Sequence, residues 1–287
     1  MYDYPLYRPP SESKSLILQL THGCSHNRCT FCNMYKSKKF YIKTPQEIDQ
    51  HIQWAKENYG TATKIFLADG NALVLETAQL EEIITRLFMN FPQLESVSTY
   101  GSPRDLLKKT PQELLKLRKA GLSLIYLGVE SGSDTILKNI NKGVTAGEMI
   151  LAGRKTVEAG IQLSCMVISG LGGKELWEEH AIETAKAINS IKPHYFAPLT
   201  LMVEDGTLLK KLIDNNEFKL LNPAEVIHEL ELMIENLDLN NCLFRSNHAS
   251  NYVSLRGVLN EDKEEILMQI RNMKEFEDYK PEGLRGL

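Results

Sequence analysis

The sequence predicts an α/β fold: a partial, open (β/α)6 barrel with a helical C-terminal extension. Three observations predict it. Short β-branched apolar runs alternate with amphipathic stretches of helical period. The joining segments are long enough to cross over between parallel strands. Two of the helices begin with the same signal, Thr-Pro-Gln-Glu at 44–47 and at 110–113. Six strand-and-helix units stop short of the eight of a closed barrel, and a flat doubly wound sheet is the structural rival.

The elements follow in order. Residues 15–21 (SLILQLT) predict the first strand, and a cysteine-bearing loop follows to about residue 42. Thr44 then caps a helix, with Pro45 at its first position and Glu47 reaching back as a capping box. Ile48, Ile52, Ala55 and Tyr59 share one face of that helix, and Gly60 stops it. Residues 64–68 (KIFLA) predict a strand, 76–90 a helix and 95–100 a strand. The second capping box opens a helix that ends at Gly121. Strands at 123–130, 161–169 and 194–201 alternate with helices at 145–159 and 174–189. Beyond Met202 the alternation fades into two helical stretches, 222–236 and 261–279, around the polar segment 244–252. The expected organisation is an N-terminal arm (1–14), a core (15–205) and an extension packed on the core (206–287).

Composition excludes several function classes. Of 287 residues, 43% are hydrophobic and 24% charged, as in an ordinary globular protein and unlike a disordered one. The 33 basic and 37 acidic residues leave a net charge of −4, which excludes a generally basic nucleic-acid coat. No apolar run approaches the roughly 18 residues of a membrane span. The opening MYDYPLYRPPSESK lacks a basic region followed by an apolar one, so a cytoplasmic location is expected.

Three of the five cysteines, Cys24, Cys29 and Cys32, fall within nine residues in the spacing C-x4-C-x2-C. A disulfide scaffold would be shorter, with its cysteines spread along the chain. Three thiolates on one loop point to a metal centre. Structural zinc takes four protein ligands, and His22 or His26 is at hand as a fourth. A three-thiolate [4Fe–4S] cluster instead leaves one iron open to a non-protein ligand. The loop follows the first strand, where a parallel α/β architecture places its functional face.

With Phe31 just before the third cysteine, this segment resembles the signature of the radical S-adenosylmethionine (SAM) enzymes. The usual signature is C-x3-C-x2-C, so the first interval here is one residue longer. The resemblance spans about residues 15–205 and is nearest the branch of oxygen-independent coproporphyrinogen oxidase-like, B12-dependent and Elongator-like enzymes, here without a preceding B12 domain. It implies a [4Fe–4S] cluster on Cys24, Cys29 and Cys32, with SAM on the open iron. It also implies reductive cleavage of SAM to a 5′-deoxyadenosyl radical that takes hydrogen from a substrate. Further positions carry over. Ala68, Asp69 and Gly70 stand where the family has Gly-Gly-Glu, and their backbone carbonyls are expected to meet the SAM amino group. Glu130 and Ser131 match the segment at the ribose or methionine end. Arg154 is expected against the SAM carboxylate, and Ile168, Gly170 and Leu171 against the adenine.

Weaker signals surround these. No acid lies between Glu12 and Glu47, while Lys14, Arg28, Lys36, Lys38, Lys39 and Lys43 are basic. That stretch is expected to receive an acidic flavodoxin or ferredoxin, or an anionic substrate; a nucleic-acid substrate would also suit it, without a recognisable RNA module. Asn247, His248, Asn251 and Tyr252 are candidate substrate contacts or a self-satisfied loop network. Cys165 and Cys242 are expected as buried small hydrophobes, and Trp54 and Trp177 as packing residues. Two other function classes stay open: a zinc-stabilised protein without catalysis, and a cluster or haem carrier without radical chemistry.

Overall fold

The computed structural model describes residues 2–286 and divides into two compact units. Among these the first holds the residues up to 27, with 34–127 and 155–163; the second holds 28–33, 128–154 and those from 164 on. The expected boundary at 205 falls inside the second unit.

In the first unit, β1 (Leu16–Gln19) is followed by a small antiparallel hairpin of β2 (Thr21–His22) and β3 (Tyr41–Ile42). The cysteine loop is the excursion between these two short strands. Helix α1 (Pro45–Tyr59) starts at Thr44, whose hydroxyl accepts from the Glu47 amide while Glu47 accepts from the Thr44 amide. Its buried face is Ile48, His51, Ile52 and Ala55. Then come β4 (Lys64–Ala68), α2 (Thr77–Asn90), β5 (Ser96–Gly101), the short α3 (Pro103–Lys108) and α4 (Pro111–Ala120). The second capping box forms at Thr110 and Glu113, and Gly121 ends α4 at φ +121°. Strand β6 (Leu122–Glu130) completes a parallel array β1-β4-β5-β6. Its core is the aliphatic set Ile65, Leu67, Ile84, Leu114 and Ile125 between strands and helices.

The second unit takes up the chain at the end of β6. It contains α5 (Asp134–Asn139), most of α6 (Ala146–Glu158) and most of β7 (Gln162–Ser169), then α7 (Gly173–Ile191) and β8 (Tyr195–Thr200). After α8 (Leu208–Asp214) and α9 (Pro223–Glu235) come β9 (Cys242–Arg245), β10 (Arg256–Leu259) and α10 (Lys263–Phe276). β7, β8 and β9 run parallel, and β10 closes the edge antiparallel to β9.

The extension is therefore not helical throughout. A short strand runs into the start of its polar stretch: Cys242 and Phe244 alternate inward, and Leu243 and Phe244 register against Tyr195 and Phe196 of β8. Cys165 and Cys242 are fully buried, as expected. No helix among the described residues is long and apolar enough to cross a membrane.

Candidate active site

The turn after β4 builds a cradle for Cys24. Asp69 and Asn71 are both buried, and each holds one neighbour of that cysteine. The Asp69 carboxylate accepts from the Gly23 amide at 2.8 Å, and Asn71 Nδ2 donates to Ser25 Oγ at 3.0 Å. Between them Gly70 lies against the cysteine itself: a Cβ there would stand 3.1 Å from Cys24 Cβ and 3.2 Å from its Cα. The Gly70 amide donates to the Gly23 carbonyl at 3.2 Å. The departure from Gly-Gly-Glu thus has a local purpose. Asp-Gly-Asn grips Gly-Cys-Ser position by position, and a side chain in the middle would press on Cys24 and Tyr35. The Asn27 amide donates to Cys24 Sγ at 3.4 Å.

The Asp69 side chain is spent on this scaffold. Besides Gly23 it accepts from Gln19 Nε2 and Lys38 Nζ, both at 2.9 Å. Lys38 and Asp69 are 3% and 0% exposed. This corrects the expectation for two of the basic residues. Lys38 is an internal counter-ion, and Lys43 is buried against Asp3 at 2.9 Å, so neither lines a docking surface. Lys14, Arg28, Lys36 and Lys39 are exposed. The Ala68 carbonyl already accepts from the Leu20 amide, and a carbonyl retains a second lone pair. Tyr35, also beside Gly70, is buried and its hydroxyl has no hydrogen-bond partner among the described residues; burial pushes the phenol above its usual range.

Cys29 and Cys32 belong to the second unit with the residues around them. The Thr30 amide donates to the Ile140 carbonyl at 2.9 Å, and the Leu209 amide donates to the Thr30 carbonyl at 3.0 Å, tying the loop to the ends of α5 and α8. Phe31 packs with Ile168 against a cluster that includes Ile136, Leu137, Leu171 and Leu201. The aromatic residue of the motif and the Ile168–Leu171 segment are therefore neighbours. None of the five cysteines is bridged by a disulfide, and the three of the motif are half-buried.

Three accessible, unbridged thiols on one loop are a donor set that fits a cubane cluster, which takes one thiolate per iron corner. A structural zinc ion instead takes four protein ligands.

The other expected positions divide. Glu130 takes φ +65° and its carboxylate meets Lys142 Nζ at 2.7 Å, folded over Gly128. Ser131 is buried with its hydroxyl 2.9 Å from His180 Nδ1, and Ser133, not Ser131, caps α5. Arg154 is exposed on α6. In the extension, Asn251 is buried and bonded to Thr200, Ser246 and the Pro198 carbonyl. Tyr252 lies under the Arg285 guanidinium and donates to Glu282. His248 pairs with Ser250, and Asn247 is exposed.

Sequence reasoning missed the partners of these segments: Lys38 as counter-ion, and His180 and Glu229 under the second unit's loops. One signal was present for Glu229. It interrupts the apolar face that Val226, Ile227, Leu230, Met233 and Ile234 give to α9.

The Radical SAM superfamily model matches residues 18–186. Among curated relatives, the chain is 27% identical over 170 residues to 4′-phospho-dehydrooxetanocin synthase of Priestia megaterium, covering 52% of this chain and 22% of that one. It is 25% identical over 217 residues to an uncharacterized protein of Methanocaldococcus jannaschii, covering 71% and 66%. It is 26% identical over 149 residues to an anaerobic magnesium-protoporphyrin IX monomethyl ester cyclase of Synechocystis, covering 50% and 28%. The chain thus spans less than two thirds of each of these relatives.

Similar solved structures include methylornithine synthase, with a TM-score of 0.54 at 16% identity over 93% of this chain and 82% of that one. Coproporphyrinogen III oxidase of Escherichia coli gives 0.55 at 18% over 77% and 51%. A radical SAM methyltransferase of Kitasatospora setae gives 0.57 at 15% over 70% and 39%. At these identities the likeness is one of fold. The family match covers more than half of the chain and includes all three clustered cysteines, and the chain belongs to the radical SAM superfamily, enzymes that use a [4Fe–4S] cluster and SAM.

Proposed function

We propose that this chain reductively cleaves SAM and uses the resulting 5′-deoxyadenosyl radical to take a hydrogen atom from a substrate. The observation that carries this reading is the cradle around Cys24, where three successive residues after β4 hold three successive residues of the cysteine loop. Cys24, Cys29 and Cys32 would hold the cluster, whose bound form supplies the electron that breaks the sulfonium–carbon bond. Everything else asked of the chain is placement and exclusion of water.

In the first unit, the backbone carbonyls of Ala68, Asp69 and Gly70 are suited to accept from an ammonium group. In the second, Phe31, Ile168 and Leu171 offer an apolar bed for an adenine ring, with Gly170 letting the ring approach the backbone. Glu130 is suited to a ribose hydroxyl, and Ser131 stiffens the turn beneath it through His180. Arg154 and the residues Asn247, His248 and Tyr252 remain proposed contacts for the SAM carboxylate and for substrate. The exposed Arg28, Lys36 and Lys39 are the proposed face for an acidic flavodoxin or ferredoxin, and the cytoplasm is the proposed location.

The test is anaerobic reconstitution followed by dithionite and SAM. Iron and sulfide in near-equal amounts and release of 5′-deoxyadenosine are expected, with Cys29→Ala abolishing both while circular dichroism is unchanged. A reduced, SAM-bound protein that releases none under any reductant would favour a carrier instead.

A further inference from the structure

Helix α9 buries a carboxyl where its neighbours are aliphatic. Glu229 is 0% exposed, and Oε1 accepts from the Gly170 amide at 2.9 Å while Oε2 has no hydrogen-bond partner among the described residues. Burying a carboxyl is costly, and leaving one oxygen unbonded makes it more so. A leucine would serve packing better. What a leucine cannot do is accept the Gly170 N–H. That glycine stands at φ +91°, just past the end of β7.

A second buried group grips the same segment. His180 on α7 approaches the Ile168 carbonyl with Nε2 at 3.0 Å. A carbonyl only accepts, so Nε2 carries the hydrogen and Nδ1 is an acceptor. Burial holds the imidazole's pKa down to about 4, which keeps it in this neutral form. Nδ1 then accepts from the Ser131 hydroxyl at 2.9 Å, and Ser131 Oγ accepts from the Ser133 amide at 3.1 Å. Next to it, the Gly132 amide donates to Thr184 Oγ1 at 2.9 Å. The 130–133 turn and the 168–171 turn are thereby fastened to one buried brace, closed from below by Glu229. The His180–Glu229 separation of 3.8 Å is packing, since the Nε2 hydrogen is directed at Ile168.

We infer that Glu229 is a positioning residue for SAM: by holding the Gly170 amide it fixes the shape of the 168–171 turn, without touching the cosubstrate. The inference rests on the proposed reading that this turn contacts SAM. Burial pushes the Glu229 carboxyl up to about 8, so near neutrality it acts as a neutral acceptor. Glutamine should therefore replace it, since its carbonyl accepts the same N–H.

The experiment uses cluster-reconstituted full-length chain and four variants. Glu229→Gln should keep the KM for SAM within about twofold of the parent. Glu229→Leu should raise KM and the equilibrium Kd for SAM about tenfold, equivalent to about 1.4 kcal/mol, with kcat for 5′-deoxyadenosine release and iron content unchanged. Amide exchange in the 168–173 peptide should quicken in the leucine variant and not in the glutamine one. Glu229→Ser, which leaves room for water, should behave like leucine and serves if the leucine variant does not fold.

Gly170→Ala places a side chain directly on the turn at positive φ and tests the underlying reading. If it leaves SAM affinity unchanged, the turn does not contact SAM. If it weakens SAM while leucine and serine at 229 do not, the brace is overturned and the reading survives. A glutamine variant as weak as leucine, or a loss in kcat with KM unchanged, also overturns it.

Discussion

Replacing Lys38 by methionine tests whether the Cys24 cradle is held electrostatically. The ammonium lies 2.9 Å from Asp69, with the two side chains 3% and 0% exposed. Removing one partner of a buried pair costs about 3–5 kcal/mol, because the other is left uncompensated, whereas an exposed pair is worth about 0–1 kcal/mol. Asp69 retains Gln19 at 2.9 Å and the Gly23 amide at 2.8 Å, which places the expectation at the low end, about 3 kcal/mol. For a chain of this length the unfolding entropy is about 0.6 kcal/mol/K, so Tm should fall by about 5 °C. The assay is anaerobic thermal and urea unfolding of the cluster-free protein at low and high salt. Little salt dependence is expected, since solvent ions do not reach the pair. The double variant Lys38→Met/Asp69→Asn should recover part of the loss, with a coupling energy of about 2 kcal/mol. Both single variants should also take up less iron, because the Gly23 anchor next to Cys24 is disturbed. Exposed Lys39→Met is the control and should do neither. A loss below about 1 kcal/mol for Lys38→Met, or one that disappears in high salt, would refute the reasoning.

Alanine at Cys24, Cys29 or Cys32 should each abolish iron and sulfide uptake while leaving far-ultraviolet circular dichroism intact. Lys39→Glu should slow reduction by flavodoxin, and salt should slow the parent, with dithionite reduction unaffected by either; equal flavodoxin rates would remove the docking role. Thr44→Ala should cost about 1 kcal/mol by unfolding, the usual worth of a helix cap. Its partner Glu47 has a pKa lowered chiefly by the Thr44 amide, so that contribution is present above the ordinary glutamate pKa and fades as the pH falls through the depressed one. Glu229 has the opposite sign. Its folded pKa of about 8 lies above the ordinary 4.5, so stability should decline as the pH rises between them, by at most about 1.4 kcal/mol per unit. Glu229→Gln should flatten that slope in urea titrations.

The elements that were legible in the sequence are those whose signals are local. Thr44 and Thr110 announce their helices because a cap is made within four residues. The parallel strands announce themselves because both faces are covered, which gives continuous apolar runs such as KIFLA. The cysteine triplet was legible for the same reason, since its spacing lies on one loop. Strands β9 and β10 were not. Each is four residues long; β9 pairs with β8, over forty residues upstream, and β10 pairs with β9. The short α3 and α5 were likewise lost between stronger neighbours.

Asp69 shows why the site was only partly readable. A turn-forming Asp-Gly next to the second strand predicts a bend, and a resemblance predicts a SAM contact. Neither predicts a carboxylate shared by Gln19, Gly23 and Lys38, which lie 50, 46 and 31 residues away. The same holds for Lys38. Within a run of lysines its charge pattern is that of a solvated face, and only the fold decides that this one turns inward while Lys36 and Lys39 do not. Residues that touch a cofactor tend to lie in motifs, because the cofactor imposes their spacing. Residues that hold those motifs in place answer only to the tertiary structure, as Glu229 does from a helix nearly sixty residues beyond the turn it supports.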